Sequence, residues 1–388
     1  MRIHSITIVF GLILGLAGGA RSQDDQILGK TRDEWLTILL KDDKLSKDDK
    51  QSKYDKSRMR KAAVIALGIY GPGKKEVLPA LIKALGSDND EEVRLSIVGV
   101  MGSLDAGPKG ELRDMLPALA DSLKDDKSPA VRAACAGLMG KLGAGAKPAL
   151  AKLIEALKDA DKGVRAAAVE SIGSIGAEAR DAVPAMLPLL KDGETSVRFA
   201  TAFAYGRMGL EASFVVPDVL QVLEKDSAED VRRQAARTLS QIGGSSVKLI
   251  LPVLARQLRA DKSAEVRRQL ALTLGKMGDI KGAMLEILGL LKDEKDRTVR
   301  LYLARSIPAA LGGGLKEYVK EYADWLGREL DSEVRLALIQ ELGALGPAAK
   351  DALDVLLTAQ SDVVLQVREA AKEAVLQVKA MVKKEPKP

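Results

Sequence analysis

The sequence predicts an all-α fold, a right-handed solenoid of about ten helix pairs, on three observations. A valine–arginine step recurs along the chain, with successive arginines 33 to 38 residues apart. Apolar residues follow each valine at intervals of four, eight and eleven, which places them on one face of a helix. Glycine usually closes that helix. A period near 34 residues with helical content indicates stacked helix pairs. The step occurs at Arg94, Arg132, Arg165, Arg198, Arg232, Arg267, Arg300, Arg335 and Arg368, with Met59-Arg60 as an altered copy.

The first helix of each repeat is well marked. Val164, Ala168 and Ile172 illustrate its apolar face, and Ser128 followed by Pro129 illustrates its start, with an N-cap and a proline in the first turn. At its end we expect glycine in the left-handed conformation. These closing glycines are Gly143, Gly176, Gly209, Gly243, Gly278 and Gly346.

The second helix of each repeat begins near a proline, where a missing N–H costs little. These prolines are Pro79, Pro117, Pro184, Pro217 and Pro252. The helix ends at an aspartate that lies six residues before the next arginine. These aspartates are Asp88, Asp126, Asp159, Asp192, Asp226, Asp261 and Asp362.

Together these features resemble the HEAT repeat, particularly the short bilin-lyase type, in an exported bacterial form, over residues 57–380. The resemblance implies that aspartate and arginine bridge adjacent repeats in a ladder, for example Asp126 or Asp159 with Arg132 and Arg165. Its members would be Asp126, Arg132, Asp159, Arg165, Asp192, Arg198, Asp226, Arg232, Asp261 and Arg267. The functional alternative is a row of basic contacts for phosphate or acidic ligands.

Residues 1–20 have the pattern of a secretory signal peptide. Arg2 is followed by an apolar stretch over 6–16 that is too short for a comfortable membrane span. Cleavage after Ala20 or Ser22 would leave no membrane span in the mature chain and predicts a periplasmic or extracellular protein. The alternative is an uncleaved membrane anchor.

Residues 24–56 are expected to form an N-terminal capping helix and a charged loop. Thr31 and Glu34 have the spacing of a capping box, and Trp35, Ile38 and Leu39 would pack on the first repeat. Residues 381–388 are expected to fray at the other end.

The composition argues against most catalytic chemistry. The one histidine, His4, lies in the leader, and the one cysteine, Cys135, lies on a core face. We therefore expect no catalytic residues, metal or cofactor. The formal charge of +6 comes from 60 basic and 54 acidic residues that are interspersed, so no nucleic-acid partner is expected.

Three of the twelve aromatic residues share one helix face: Tyr318, Tyr322 and Trp325. One helix register puts them at the core offsets that Leu78, Ile82 and Leu85 hold in the first repeat. A register shifted by one puts Val319, Ala323 and Leu326 there and brings the aromatics toward the surface. If exposed, they are the best candidates for binding a partner.

The function we expect is a non-enzymatic scaffold that binds another, unidentified protein outside the cytoplasm. One alternative is an enzyme accessory or a bilin-lyase-like enzyme, because proteins with the repeats that this chain resembles attach chromophores to polypeptides. The fold alone does not carry that activity. A second alternative is a nucleic-acid-binding HEAT-like protein.

Overall fold

The computed structural model describes residues 26–40, 53–71, 75–105, 107, 110–278, 280–291 and 293–380. The predicted signal peptide, most of the charged loop and the tail 381–388 lie outside the described residues. The described part is helical and holds no β-strand beyond one isolated bridge between Ile27 and Lys30. No helix in it is both long and apolar enough to cross a membrane.

The helices divide into two compact units, one up to Ala204 and one from Tyr205, and the division falls within a helix. The first unit contains α1 (Arg32–Leu40), α2 (Lys53–Tyr70), α3 (Val77–Ser87), α4 (Glu91–Met101), α5 (Leu116–Asp125), α6 (Pro129–Lys141), α7 (Leu150–Ala156), α8 (Lys162–Ile175), α9 (Val183–Met186) and most of α10 (Thr195–Met208). The second contains α11 (Val216–Lys225), α12 (Glu229–Ile242), α13 (Val247–Ala260), α14 (Ala264–Met277), α15 (Met284–Leu290), α16 (Arg297–Leu311), α17 (Val319–Leu326), α18 (Ser332–Ala344), α19 (Leu353–Ala359) and α20 (Leu365–Lys379).

Short 3₁₀ segments join the two helices of most pairs. They are Glu111–Met115, Gly143–Ala149, Gly176–Ala182, Gly209–Val215, Gly244–Ser246, Lys281–Ala283, Gly314–Tyr318 and Gly346–Ala352. One further segment, Leu187–Lys191, continues the four-residue helix α9. Pro188 lacks the N–H that would bond to the carbonyl of Pro184, which accounts for the early end of α9.

The first helix of each pair buries the face that the sequence predicts. Val164, Ala168 and Ile172 of α8 are fully buried, and so is Cys135 at the equivalent position of α6. The predicted caps are present as well. Ser128 accepts a hydrogen bond from the Val131 N–H at 3.4 Å, with Pro129 in the first turn.

Five of the six predicted closing glycines have a positive φ, between 52° and 75°. The prediction is wrong for Gly243, whose φ is −64°. Gly244 takes that role instead, with φ 39°, because α12 is extended by Gly243 as its cap. The following 3₁₀ segment is only three residues long, so α13 begins early and Pro252 lies inside it rather than near its start.

A feature that the repeat pattern did not reveal is the close approach of successive first helices. Gly173 of α8 lies nine residues after Val164, and a Cβ there would be 2.7 Å from both the Cα and the Cβ of Ala204. Gly140, Gly275 and Gly343 hold the same position in their own helices. A Cβ at each of them would lie close to the next first helix of the same unit. Glycine is therefore needed where two backbones approach.

The N-terminal segment caps the first repeat much as expected. The Thr31 N–H donates to Glu34 Oε2 at 2.7 Å and the Glu34 N–H donates to Thr31 Oγ1 at 3.4 Å, which is the predicted capping box. Trp35 and Leu39 are buried, whereas Ile38 is half-buried. Helix α2 begins at Lys53, four residues before the expected boundary of the repeats.

Candidate functional site

The arginines of the valine–arginine steps make two kinds of contact. In the repeat of Arg165, Nε and Nη2 each donate to the Asp192 carboxylate at 2.9 Å, and Nη1 donates to the Asp159 carbonyl oxygen at 2.8 Å. Asp159 in turn accepts with its carboxylate from Arg132, at 2.8 Å from Nε. Each aspartate thus joins the arginine of its own repeat, through the side chain, to the arginine of the next repeat, through the backbone.

This arrangement, the arginine ladder, recurs along the described chain. The bond from Nη1 to the carbonyl six residues earlier is present from Arg94 to Arg368, at 2.7 to 3.3 Å. The carboxylate bonds span 27 to 32 residues. They pair Arg60–Asp88, Arg94–Asp126, Arg132–Asp159, Arg165–Asp192, Arg232–Asp261, Arg267–Glu294, Arg300–Glu329 and Arg335–Asp362.

The structure therefore places the ladder residues as follows. The Asp126 carboxylate pairs with Arg94 rather than Arg132, which instead bonds the Asp126 carbonyl. Arg198 donates to the Asp192 carbonyl at 2.9 Å, and the Asp226 carboxylate accepts from the Ala228 N–H at 2.9 Å. The guanidinium groups donate hydrogen bonds to carboxylates and backbone carbonyl oxygens, so they do not form a free basic row.

Two carboxylates of the ladder were not among the aspartates that the sequence marked. Glu294 and Glu329 replace aspartate and pair with Arg267 and Arg300 at 2.7 and 2.9 Å. Their position six residues before the next arginine was the available signal.

The pairing changes the titration of the carboxylates. The hydrogen bonds from Arg132 lower the pKa of Asp159 despite its partial burial, and those from Arg335 lower the pKa of Asp362. These carboxylates therefore stay ionised, and their attraction to the arginines of the ladder stabilises the fold.

Of the three aromatic residues, Tyr322 and Trp325 belong to α17 and lie in the core, whereas Tyr318 ends the 3₁₀ segment that precedes it. Tyr322 is fully buried and Trp325 is 6% exposed, with their rings 5.7 Å apart in an edge-to-face arrangement, while Tyr318 is half-buried. Val319 and Leu326 are buried too, so α17 buries a stripe wide enough to include residues of both registers. Of the two registers that the sequence left open, the one that brings Tyr322 and Trp325 to the surface is not adopted, so the three aromatics form no exposed binding face.

Trp325 nevertheless reaches a surface cleft with one edge. This α15–α17 cleft, about 430 Å³ in volume, lies between the second helices of two successive repeats. Its apolar lining comes from Leu285, Leu288, Leu291, Trp325 and Leu330. Leu285 is 71% exposed and Leu330 is 90% exposed, and both line the cleft.

The floor of the cleft is made of the ladder. Glu294, Arg300 and Glu329 line it, and the Trp325 indole N–H donates to Glu329 Oε2 at 3.1 Å. The rim carries Glu321, Asp324 and Arg328. The ladder therefore fixes the indole in place at the wall of an open, partly apolar depression.

Cys135 shows no sign of reactivity. It is fully buried, and burial raises the pKa of its thiol to about 12. Among the residues that the structure describes, no group of three or more histidine, cysteine, aspartate or glutamate side chains is arranged to hold a metal ion.

Stacked helix pairs with one arginine–carboxylate pair in most repeats define an α-solenoid repeat protein. Residues 150–216 and 216–308 match the family model described as HEAT repeats. Residues 150–308 therefore consist of HEAT repeats.

Solved structures extend the similarity of fold over most of the chain. An engineered protein is 19% identical with a TM-score of 0.51, covering 90% of this chain and 98% of its own. YibA of E. coli is 20% identical with a TM-score of 0.51, covering 78% and 96%. Kap95p, the yeast importin-beta, is 15% identical with a TM-score of 0.57 in its complex with RanGDP, covering 89% of this chain and 52% of its own. This chain thus spans about half of the length of Kap95p. No curated protein matches this chain.

Proposed function

We propose that the chain is a non-enzymatic scaffold that binds another protein outside the cytoplasm. The observation that carries this proposal is the α15–α17 cleft, where Leu285 and Leu330 are exposed beside the edge of Trp325. Exposed apolar patches beside polar rims are typical of protein-binding sites. The arginine ladder, in contrast, uses its charges internally.

The fold gives this proposal general support. HEAT-repeat solenoids are typical protein-interaction scaffolds, and two proteins of similar fold are seen with protein partners: Kap95p with RanGDP and Kap121p with Ste12p. The location outside the cytoplasm rests on the leader pattern of residues 1–20.

The binding function is tested by capture of partners from the exported fraction, read by mass spectrometry. We expect the wild-type chain to retain a specific protein, and the double variant Leu285→Ser with Leu330→Ser to lose it. The matched control is Leu210→Ser, since Leu210 is 64% exposed in the same unit but lies away from the cleft. If no protein is enriched over an unrelated bait, the scaffold function is refuted.

The location is tested separately. The full-length chain is expressed with its leader in a bacterium, and the mass of the purified product is measured after fractionation. A product that begins at residue 21 or 23, found outside the cytoplasm, supports export. A full-length product in the cytoplasm contradicts it.

A further inference from the structure

The charges around the α15–α17 cleft are not balanced. Glu294 and Glu329 on its floor are neutralised by Arg267 and Arg300 of the ladder. On the rim, Glu321 and Asp324 make no ion pair within the described part of the chain. The Arg328 side chain, also on the rim, bonds the Asp324 carbonyl through Nε at 2.9 Å.

The imbalance continues into the next cleft of the same unit. The depression between α17 and α19 shares Asp324 and Arg328 with the first and adds Asp351 and Asp354. Lys320 lies 3.9 Å from Asp351. Four carboxylates, Glu321, Asp324, Asp351 and Asp354, therefore face two basic groups, Lys320 and Arg328, and leave an excess of two negative charges.

Apolar side chains run alongside these carboxylates. Leu330 and Val363 occupy the same place in successive repeats, five residues before Arg335 and Arg368, and each is 90% exposed. Leu330 lines the α15–α17 cleft, and Val363 holds the equivalent place on the loop after the next second helix. Exposed apolar side chains next to an acidic rim favour a partner that offers both apolar contact and positive charge.

We propose that the α15–α17 cleft docks a partner segment with a large apolar side chain flanked by lysine or arginine. The apolar side chain lies against Leu285, Leu330 and the edge of Trp325. The flanking cations face Glu321 and Asp324. The volume of about 430 Å³ falls within the range of about 300–1,000 Å³ that is common for ligand sites. This proposal rests on the proposed protein-binding function and names the chemistry of the partner.

The surroundings disfavour other occupants. An anionic surface, such as nucleic acid or an acidic lipid headgroup, would meet the excess of carboxylates at the rim. An uncharged apolar segment would gain nothing from Glu321 and Asp324. The test therefore compares probes that differ in charge and in the apolar side chain separately.

The probes are three fluorescein-labelled peptides, and binding is measured by fluorescence anisotropy. The first is Gly-Lys-Lys-Leu-Lys-Lys-Gly, the second has glutamate in place of lysine, and the third has serine in place of leucine. We expect the first to bind at least about tenfold more tightly than either of the others at low salt, and to weaken as salt is added. Equal binding of the acidic peptide, or of the serine peptide, would overturn the proposal.

Two double variants locate the site. Leu285→Ser with Leu330→Ser should weaken the first peptide about fivefold or more, because the apolar contact is lost. Glu321→Gln with Asp324→Asn should weaken it and flatten its salt dependence. All four side chains lie at or near the surface, and circular dichroism verifies that the fold is unchanged.

Matched controls keep the result specific. Leu210→Ser tests a leucine elsewhere in the unit, and Glu229→Gln with Asp230→Asn tests two exposed carboxylates on the first helix of another repeat. Neither control should alter the affinity. If the controls weaken binding as much as the cleft variants, the peptide binds by general charge and the site is refuted.

The indole gives an independent measurement. Trp325 is one of two tryptophans, and the other, Trp35, belongs to the first unit. Because the probes contain no tryptophan, a shift in protein emission on binding that disappears in a Trp325→Phe variant places the peptide at the cleft. Binding without such a shift places it elsewhere.

The two proposals can fail separately. A partner that is captured equally by the wild type and by Leu285→Ser with Leu330→Ser leaves the scaffold function standing and refutes this site. Specific peptide binding at the cleft without any captured protein supports the site chemistry and contradicts the scaffold function.

Discussion

The arginine ladder makes a quantitative prediction for Arg165→Ala. The variant removes two bonds to the Asp192 carboxylate at 2.9 Å and two bonds to the backbone carbonyls of Asp159 and Ala160, at 2.8 and 3.0 Å. The Asp192 side chain is only 9% exposed, so its carboxylate is left charged and poorly solvated.

The magnitude follows from what Asp192 retains. It still accepts the Glu194 N–H at 2.9 Å, so it is not left wholly without partners. Losing hydrogen bonds to a charged group costs about 1.5–3 kcal/mol, and removing one partner of a fully buried pair costs about 3–5 kcal/mol. Because this pair is partly exposed, we expect the free energy of unfolding to fall by about 2–4 kcal/mol.

The assay is urea denaturation followed by circular dichroism. Arg165→Lys should recover only part of the loss, because an ammonium cannot reproduce the planar fork. Adding Asp192→Asn to Arg165→Ala should recover about 1 kcal/mol by removing the unpaired charge. Arg180→Ala is the control, since Arg180 is 71% exposed and lies 3.8 Å from its neighbour Asp181. An Arg165→Ala chain within about 0.5 kcal/mol of wild type, the ordinary range of a surface change, would refute the structural role.

Three further predictions concern buried and half-buried residues. Cys135 should react slowly with a thiol reagent in the native state and quickly after unfolding; fast native labelling would contradict its burial. Gly173→Ala should lower the free energy of unfolding by about 1–3 kcal/mol, because its Cβ would lie 2.7 Å from Ala204 Cα, whereas the control Gly137→Ala, with open space, should raise it by about 0.5–1 kcal/mol. Burial raises the pKa of Glu341, although the charge of Arg305 acts to lower it, so folding favours the protonated carboxyl. The stability that the protonated form contributes is lost as pH rises through the raised pKa. Glu341→Gln should therefore be more stable than wild type at neutral pH and lose that advantage in acid; an unchanged difference across pH would contradict this.

Much of the fold was predictable because one period governs the whole chain. The valine positions, the caps and five of the six closing glycines follow from local helix chemistry, which the sequence displays directly. Gly243 misled because two glycines are adjacent and either can end α12. The choice of Gly244 depends on where α13 packs, which is a tertiary effect.

The candidate site was less predictable for a geometric reason. Whether Asp126 reaches Arg94 or Arg132 depends on how successive repeats stack, and sequence spacing alone does not distinguish them. The α17 aromatics are similar: two registers fit the spacing, and the structure buries residues of both. The cleft depends on Leu285 and Leu330, which lie 45 positions apart and share no motif.

The ladder also determines where the chain can accept inserted residues. The interval from each carboxylate to the next arginine is always six residues, since both ends are tied to the same loop. The interval across a carboxylate pair varies from 27 residues in Arg132–Asp159 to 32 in Arg94–Asp126, and the contact stays at 2.8 and 2.7 Å. An inserted tag, epitope or reporter should therefore be accepted between the two helices of one repeat, whereas even a single residue added between the carboxylate and the following arginine would separate one repeat from the next.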